Sequence, residues 1–196
     1  MRDRKVSLER RTTETKIVLD INLDGKGKFK IDTGIPFLDH LLSAFAKHGK
    51  FDLKLKAKGD VQVDEHHTVE DTGIALGGSF LKALKKKEGI RRFGYAYVPM
   101  DEALVLVVVD ISGRSYLNFN VQFPQKKREK FNPQLLEEFM RSFANESRVT
   151  LHVNLLYGKN NHHIMEAIFK ALGLALEQAT RIDPRARDVP STKGKL

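Results

Sequence analysis

Large apolar side chains recur at 37, 38, 41, 42 and 45 in FLDHLLSAFA, residues 37–46. This stripe at i, i+1, i+4, i+5 and i+8 predicts an amphipathic helix with one buried face. LLEEFMRSFA, residues 135–144, carries the same stripe at 135, 136, 139, 140 and 143, each position displaced by 98. A second pair follows. HHTVEDTGIALGGSFLKAL begins at His66 and HHIMEAIFKALGLALEQA at His162, each opening on His-His-x-x-Glu and running into a long helical pattern. A third pair, IVLDINLDG from Ile17 and VVVDISG from Val107, alternates as strands do. Three matches in one order at near-equal offsets point to a duplicated unit.

Each half then reads as strand, strand, helix, strand, helix. The expected elements are 14–23, 28–31, 37–47, 51–57 and 66–87 in the first half, and 104–111, 114–123, 133–144, 149–155 and 162–180 in the second. Gly25, Gly27, the Gly34-Ile35-Pro36 run and Gly113 supply turn chemistry between them. The fold class expected is α/β, as an α+β two-layer sandwich made by tandem duplication of a β-β-α-β-α unit, with helices packed on the sheets. Residues 1–90 form the first half and 91–183 the second, in one compact duplicated domain. The basic stretch Lys85–Lys87, with Gly89, Arg91 and Arg92, joins them. Residues 184–196 form a polar tail without periodicity.

Composition narrows the chemistry. The 196 residues include no cysteine, which excludes disulfides, thiolate zinc sites, Fe–S clusters and cysteine nucleophiles. Any transition metal must be held by His, Asp or Glu. The longest apolar run, Leu104–Val109, is far short of a membrane span, and the charged start MRDRKVSLERR has no apolar core of a secretory signal. A cytoplasmic protein with no membrane partner is expected. A net charge of +9 suggests an anionic partner. An RNA-binding module would need exposed aromatics among its basic residues. The chain has 12 Phe, 4 Tyr and no Trp, most at positions with the period of a core, so no nucleic-acid partner is expected.

The repeated His-His-x-x-Glu carries the strongest chemical signal. On a helix His66 and Glu70 are i, i+4 neighbours, while His67 lies about 100° round the axis from His66. The two histidines are placed to serve different metals, or a metal and a substrate, and the same holds for His162, His163 and Glu166. His40 and Glu138 occupy equivalent positions of the paired short helices. His152 aligns with Lys54, so Glu138 is preferred as the counterpart of His40. The candidate ligands are therefore His40, His66, His67, Glu70, Glu138, His162, His163 and Glu166. They divide into two sites of four whose imidazole and carboxylate donors suit Mn, Fe, Ni or Zn. Asp101 and Glu102 have no support from the repeat at this level, and neither does Glu146.

At these residues the chain resembles the imidazoleglycerol-phosphate dehydratase family, lyases of histidine biosynthesis. The matching stretches are RTTETKI (11–17), FLDHLL (37–42), DEHHTVEDTGIALG (64–77), GIRRFG (89–94), DISGRSYL (110–117), TLHVNLLYGKNNHHIMEAIFKAL (150–172) and VPSTKG (189–194). They extend over nearly the whole chain. The resemblance implies two divalent ions per active site, most often Mn²⁺, and a hollow 24-mer with active sites formed between neighbouring chains. It implies dehydration of D-erythro-imidazoleglycerol phosphate to imidazole acetol phosphate. In that reaction the ions favour an imidazolate that expels the hydroxyl through a diazafulvene-like intermediate. The family has His or Glu at the position of Glu138.

The resemblance also assigns roles. Glu14, His67, Glu70, His163 and Glu166 become catalytic, with Glu14 handling protons or the hydroxyl. Arg92, Arg114, Lys170, Ser191, Thr192 and Lys193 become the phosphate clamp, with Glu14, His40 and His48 also meeting the substrate. Ala44 stands where the family has a polar residue, a departure within the stretch that contains His48. The tail then becomes an ordered phosphate-binding segment. A protein in which metals merely staple subunits together would need no such clamp.

Overall fold

The computed structural model describes residues 4–124, 131–186 and 188–196. The first half runs β1 (Lys5–Arg11), β2 (Thr15–Asn22), β3 (Phe29–Asp32), α1 (Pro36–His48), β4 (Asp52–Gly59) and α2 (His66–Leu84). The second half repeats that order as β5 (Phe93–Met100), β6 (Ala103–Asp110), β7 (Tyr116–Asn120), α3 (Leu135–Ser147), β8 (Thr150–Tyr157) and α4 (Asn161–Thr180). The repeating unit is therefore β-β-β-α-β-α, not β-β-α-β-α. The alternation expected from the sequence missed the leading strand in both copies, for a physical reason. The inward positions of β5 are Gly94, Ala96 and Val98, while its bulky Phe93, Tyr95 and Tyr97 face outward. The strand β1 buries none of its residues fully and is mostly charged.

Each half forms a four-stranded mixed sheet, in the orders β1-β2-β4-β3 and β5-β6-β8-β7, with the β3–β4 and β7–β8 pairs parallel. Ile17, Leu19 and Ile21 of β2 face the core, as do Val105, Val107 and Val109 of β6. The pairing register matches Leu19 to Val107, since Leu8 lies across from the first and Ala96 across from the second. Matching Ile17 to Val107 was thus off by two residues. A slip of two leaves every side chain on its own face, so the apolar pattern cannot detect it. Equivalent positions differ by 88 in the first three strands and by 98 in the short helices and in β4 and β8 as far as Leu155, past which a bulge in β8 makes the difference 99.

The helices lie on the inner faces of the sheets, so each half is a two-layer sandwich, and the halves stack helix to helix. They exchange partners in doing so: α1 packs on α4, and α2 on α3. The buried stripe Leu38, Leu41, Leu42 and Phe45 of α1 is repeated by Leu136, Phe139, Met140 and Phe143 of α3. At the two crossings the helices approach closely on glycine. A Cβ on Gly77 would lie 2.6 Å from the Phe143 carbonyl oxygen, and one on Gly173 would lie 2.5 Å from that of Phe45. Phe80 meets both Phe45 and Phe143, which joins the two halves into one core.

The outer faces differ. Lys16, Lys54, Lys56 and Lys58 project from the first sheet. From the second project Phe93, Tyr95, Tyr97 and Tyr116, beside half-buried Leu104, Leu106 and Val108. Most phenylalanines belong to the core as expected, but all four tyrosines are exposed. The lysine-rich and aromatic faces lie on different sheets and are not interleaved. The tail folds back on the second half: Arg92 donates to the Pro190 carbonyl, and Leu196 packs on Gly113 at its positive φ. No helix among the described residues is long and apolar enough to cross a membrane.

Candidate metal centre and active site

The partner exchange between helices brings His40 of α1 to the first turn of α4. Asn160 caps that turn by accepting the His162 backbone N–H, with its backbone extended as an N-cap requires. One turn later, Glu166 is buried. Its Oε2 lies 3.2 Å from His40 Nε2 and 3.3 Å from His162 Nε2. One ligand atom from each of the three lies within 4.8 Å of the others, the one such group among the described residues. Phe37 sets both rings, edge-on to His162 at 5.0 Å and tilted to His40 at 6.1 Å between centroids. The cluster lines a cleft of about 680 Å³, walled by Phe37, Phe131 and Glu65. Burial alone would raise the Glu166 carboxyl, but Lys170 donating to Oε1 at 2.8 Å and His40 outweigh it and hold it at about 2. It is therefore an anion at neutral pH, the state a ligand requires.

The next histidine faces elsewhere. The His163 ring stands at 84° to that of His162. Its Nδ1 lies 2.6 Å from Glu102 Oε2, on the turn between β5 and β6. Glu102 Oε1 accepts the backbone N–H groups of Lys159 and Asn160 at 3.0 and 2.7 Å. Together these bonds hold the carboxyl down at about 2, the largest contribution coming from His163. The carboxylate thus ties the turn to the start of α4.

The first half has a related arrangement at α2. His66 Nε2 lies 3.5 Å from Glu70, and the His67 ring stands at 81° to that of His66. His67 Nδ1 lies 3.2 Å from both oxygens of Asp60, just after β4, and 3.9 Å from Glu14 on the β1–β2 turn. Asp60, with Glu14 and Asp64, raises the His67 pKa. The Glu14 turn is fixed by Asp71, which accepts from Arg10, Thr12 and Thr15. Glu138 lies 3.9 Å from Arg141 on its own helix. It does not form a three-ligand group with His66 and Glu70 among the described residues.

The residues expected to grip phosphate are split. Lys170 sits with Glu166, its Nζ also 3.4 Å from Met100 Sδ at the end of β5. His48 is near both, and burial followed by Lys170 lowers its pKa. Arg92 lies just before β5, held by Asp110 at 2.7 and 3.1 Å and by the tail. Arg114 is exposed on the turn between β6 and β7, and Ser191, Thr192 and Lys193 follow Pro190 in the tail that Arg92 holds. Arg92 precedes β5 and Lys170 meets Met100 at its far end, so the two groups lie toward opposite ends of this eight-residue strand.

Sequence reasoning missed Asp60, Asp71 and Glu102. Glu102 carried a readable signal, because it stands 88 residues after Glu14, the offset of the surrounding strands. Asp60 carried none, since Lys159 stands at its position after the bulged end of β8.

Comparison with known proteins places these residues in context. Residues 33–176 match the family model for imidazoleglycerol-phosphate dehydratase. Relatives with that name include one from a Thermoanaerobacter species, 58% identical over 98% of this chain and all of its own. Another, from Pelobacter propionicus, is 55% identical over 98% of this chain and 99% of its own. Among solved structures, the imidazoleglycerol-phosphate dehydratase of Staphylococcus aureus superposes with a TM-score of 0.83 at 39% identity, covering 91% of this chain and 99% of that one. The enzyme of Pyrococcus furiosus, solved in complex with (S)-C348, gives 0.84 at 42% identity over 96% of this chain and all of that one.

Proposed function

The chain belongs to the imidazoleglycerol-phosphate dehydratase family, hydro-lyases of histidine biosynthesis, and from that premise we propose a dehydration that depends on two divalent ions, Mn²⁺ foremost. The observation that carries the metal reading is the His40–His162–Glu166 group, assembled from both halves of the duplication. Its donors fit such an ion: two imidazole nitrogens and a carboxylate already anionic at neutral pH. His66 and Glu70, with Glu138 on the facing helix, are the corresponding set, and His67 and His163 look away from both to serve ions held with a neighbouring chain. When bound, the ions would supply Lewis-acid charge that stabilises an electron-rich substrate imidazole as the hydroxyl leaves.

The chain's own residues then have separate tasks. Glu14 is exposed on its turn and takes up the C–H proton or delivers one to the departing hydroxyl, so that one proton and one hydroxyl leave as water. Asp71 fixes the turn that carries it. Lys170 keeps Glu166 charged and adds positive charge beside His48. Arg92, Arg114 and the tail from Ser191 to Lys193 supply charge-assisted donors for the phosphate.

The separation along β5 bears on assembly. A strand of eight residues spans about 25 Å end to end, longer than one small phosphorylated imidazole. The phosphate grip of one chain therefore serves the metal ligands of another, in line with a 24-mer built around shared sites. The exposed Phe93, Tyr95, Tyr97 and Tyr116 on the outer face of the second sheet would suit such a contact.

The test is a dehydratase assay with imidazoleglycerol phosphate on chelator-treated protein, before and after Mn²⁺ is restored, with particle size followed by light scattering. Turnover and the full assembly are expected to return with the metal. Full activity with less than one bound metal per chain by elemental analysis would discard the two-ion scheme.

A further inference from the structure

We propose that Glu102 is a positioning residue for His163, holding its imidazole in the one tautomer that leaves Nε2 available to a metal. The inference rests on the metal reading above and deepens it. With Glu102 Oε2 2.6 Å from Nδ1, that nitrogen carries the proton and Nε2 keeps its lone pair, with Asp101 Oδ2 3.6 Å away. The other oxygen cannot drift, because two backbone N–H groups at the start of α4 hold it at 3.0 and 2.7 Å. A carboxylate fixed at one oxygen and bonded to imidazole at the other sets the ring's rotation as well as its proton.

The duplication gives an independent reason to assign this role. In the first half, His67 has its Nδ1 against Asp60, and Glu14 stands back at 3.9 Å. In the second half a bulge in β8 sets Gly158 at the position of Gly59, so the position of Asp60 is taken by Lys159. A lysine offers His163 no carboxylate. The orienting carboxylate must come from the opposite turn, and Glu102, the counterpart of Glu14, supplies it. One copy of the turn carries a carboxylate left to react, and the other a carboxylate committed to a histidine.

The test titrates Mn²⁺ into metal-stripped, full-length protein and counts free ion by electron paramagnetic resonance. In Glu102→Gln the amide carbonyl can still accept from the helix N–H groups, but its NH₂ then faces Nδ1. That favours the tautomer with the proton on Nε2, which cannot ligate. Mn²⁺ affinity is expected to fall about 10- to 100-fold at part of the sites, with the unfolding temperature near that of the parent. A residue that merely anchored the helix would leave affinity unchanged in this variant, and that result overturns the proposal. In a His163→Ala background the same change is expected to add nothing; a further loss there means Glu102 acts by another route and also overturns it. If Glu102→Gln does not fold, Glu102→Asp replaces it. Its shorter arm cannot reach both the helix and Nδ1, so weaker binding is expected and parental affinity is fatal. A parent protein that binds no Mn²⁺ at all discards the metal reading itself, a distinguishable outcome.

Discussion

The N-termini of α2 and α4 carry the same His-His-x-x-Glu pattern, yet differ in how far each is bound up with its surroundings. At α4, Glu166 is buried and answers to His40, His162 and Lys170 together, and Glu102 locks His163 to the opposite turn. At α2, Glu70 is half exposed with His66 at 3.5 Å, Glu138 lies against Arg141, and Glu14 stands clear of its histidine. The duplication kept the helix, the crossing and the histidines, and redistributed the carboxylates around them. The tighter copy suits the holding of an ion, and the looser copy leaves a carboxylate with freedom to act.

The largest effect that could break this contrast concerns Glu14. Glu14→Gln is expected to lower kcat by about 10²–10⁴ while metal content and particle size stay unchanged. Retained turnover would remove the division of labour between the two turns. Acid offers the next test. The Glu166 carboxyl is held at about 2, against 4.5 for an unperturbed glutamate, so it stabilises the fold fully above pH 4.5 and progressively less as pH falls toward 2. The loss is on the order of 2–3 kcal/mol. Urea unfolding between pH 6 and 3 should show a shallower pH dependence in Glu166→Gln than in Glu70→Gln; equal slopes would erase the asymmetry.

The helix crossings are where the halves should behave alike. Gly77→Ala and Gly173→Ala each force a Cβ onto a facing carbonyl oxygen, and each is expected to cost about 1–3 kcal/mol in denaturant unfolding. A cost at one crossing alone would show that the two are not equivalent. The smallest effect is expected at Glu138. Glu138→His, which copies His40, should change Mn²⁺ affinity by less than about tenfold, worth less than about 1.4 kcal/mol.

Much of this was legible in the residues. The helical stripes survive duplication because their period admits only one alignment, so the offset of 98 found both short helices and brought His40 and Glu138 to notice. The strands were harder to read. A two-residue slip is invisible to a two-residue period, and matching Asp20 to Asp110 hid the correspondence of Glu14 with Glu102. The edge strands β1 and β5 escaped because their inward side chains are small or incompletely covered. The histidines themselves were found, but the exchange of helix partners was not. That exchange gathers His40 with His162 and Glu166, and tertiary packing alone determines it.

The length of β5 has a consequence for inheritance. On the proposed assembly no chain owns a complete active site, since the arginines at one end of the strand and the histidines beyond the other end serve different neighbours. A lesion at Arg92 and a lesion at His162 would therefore damage different components of the same shared sites. Two alleles, each inactive alone, should complement when expressed together, because mixed particles regain sites in which both contributions are sound. A single faulty copy, by the same logic, disables a site whose other residues belong to a healthy neighbour.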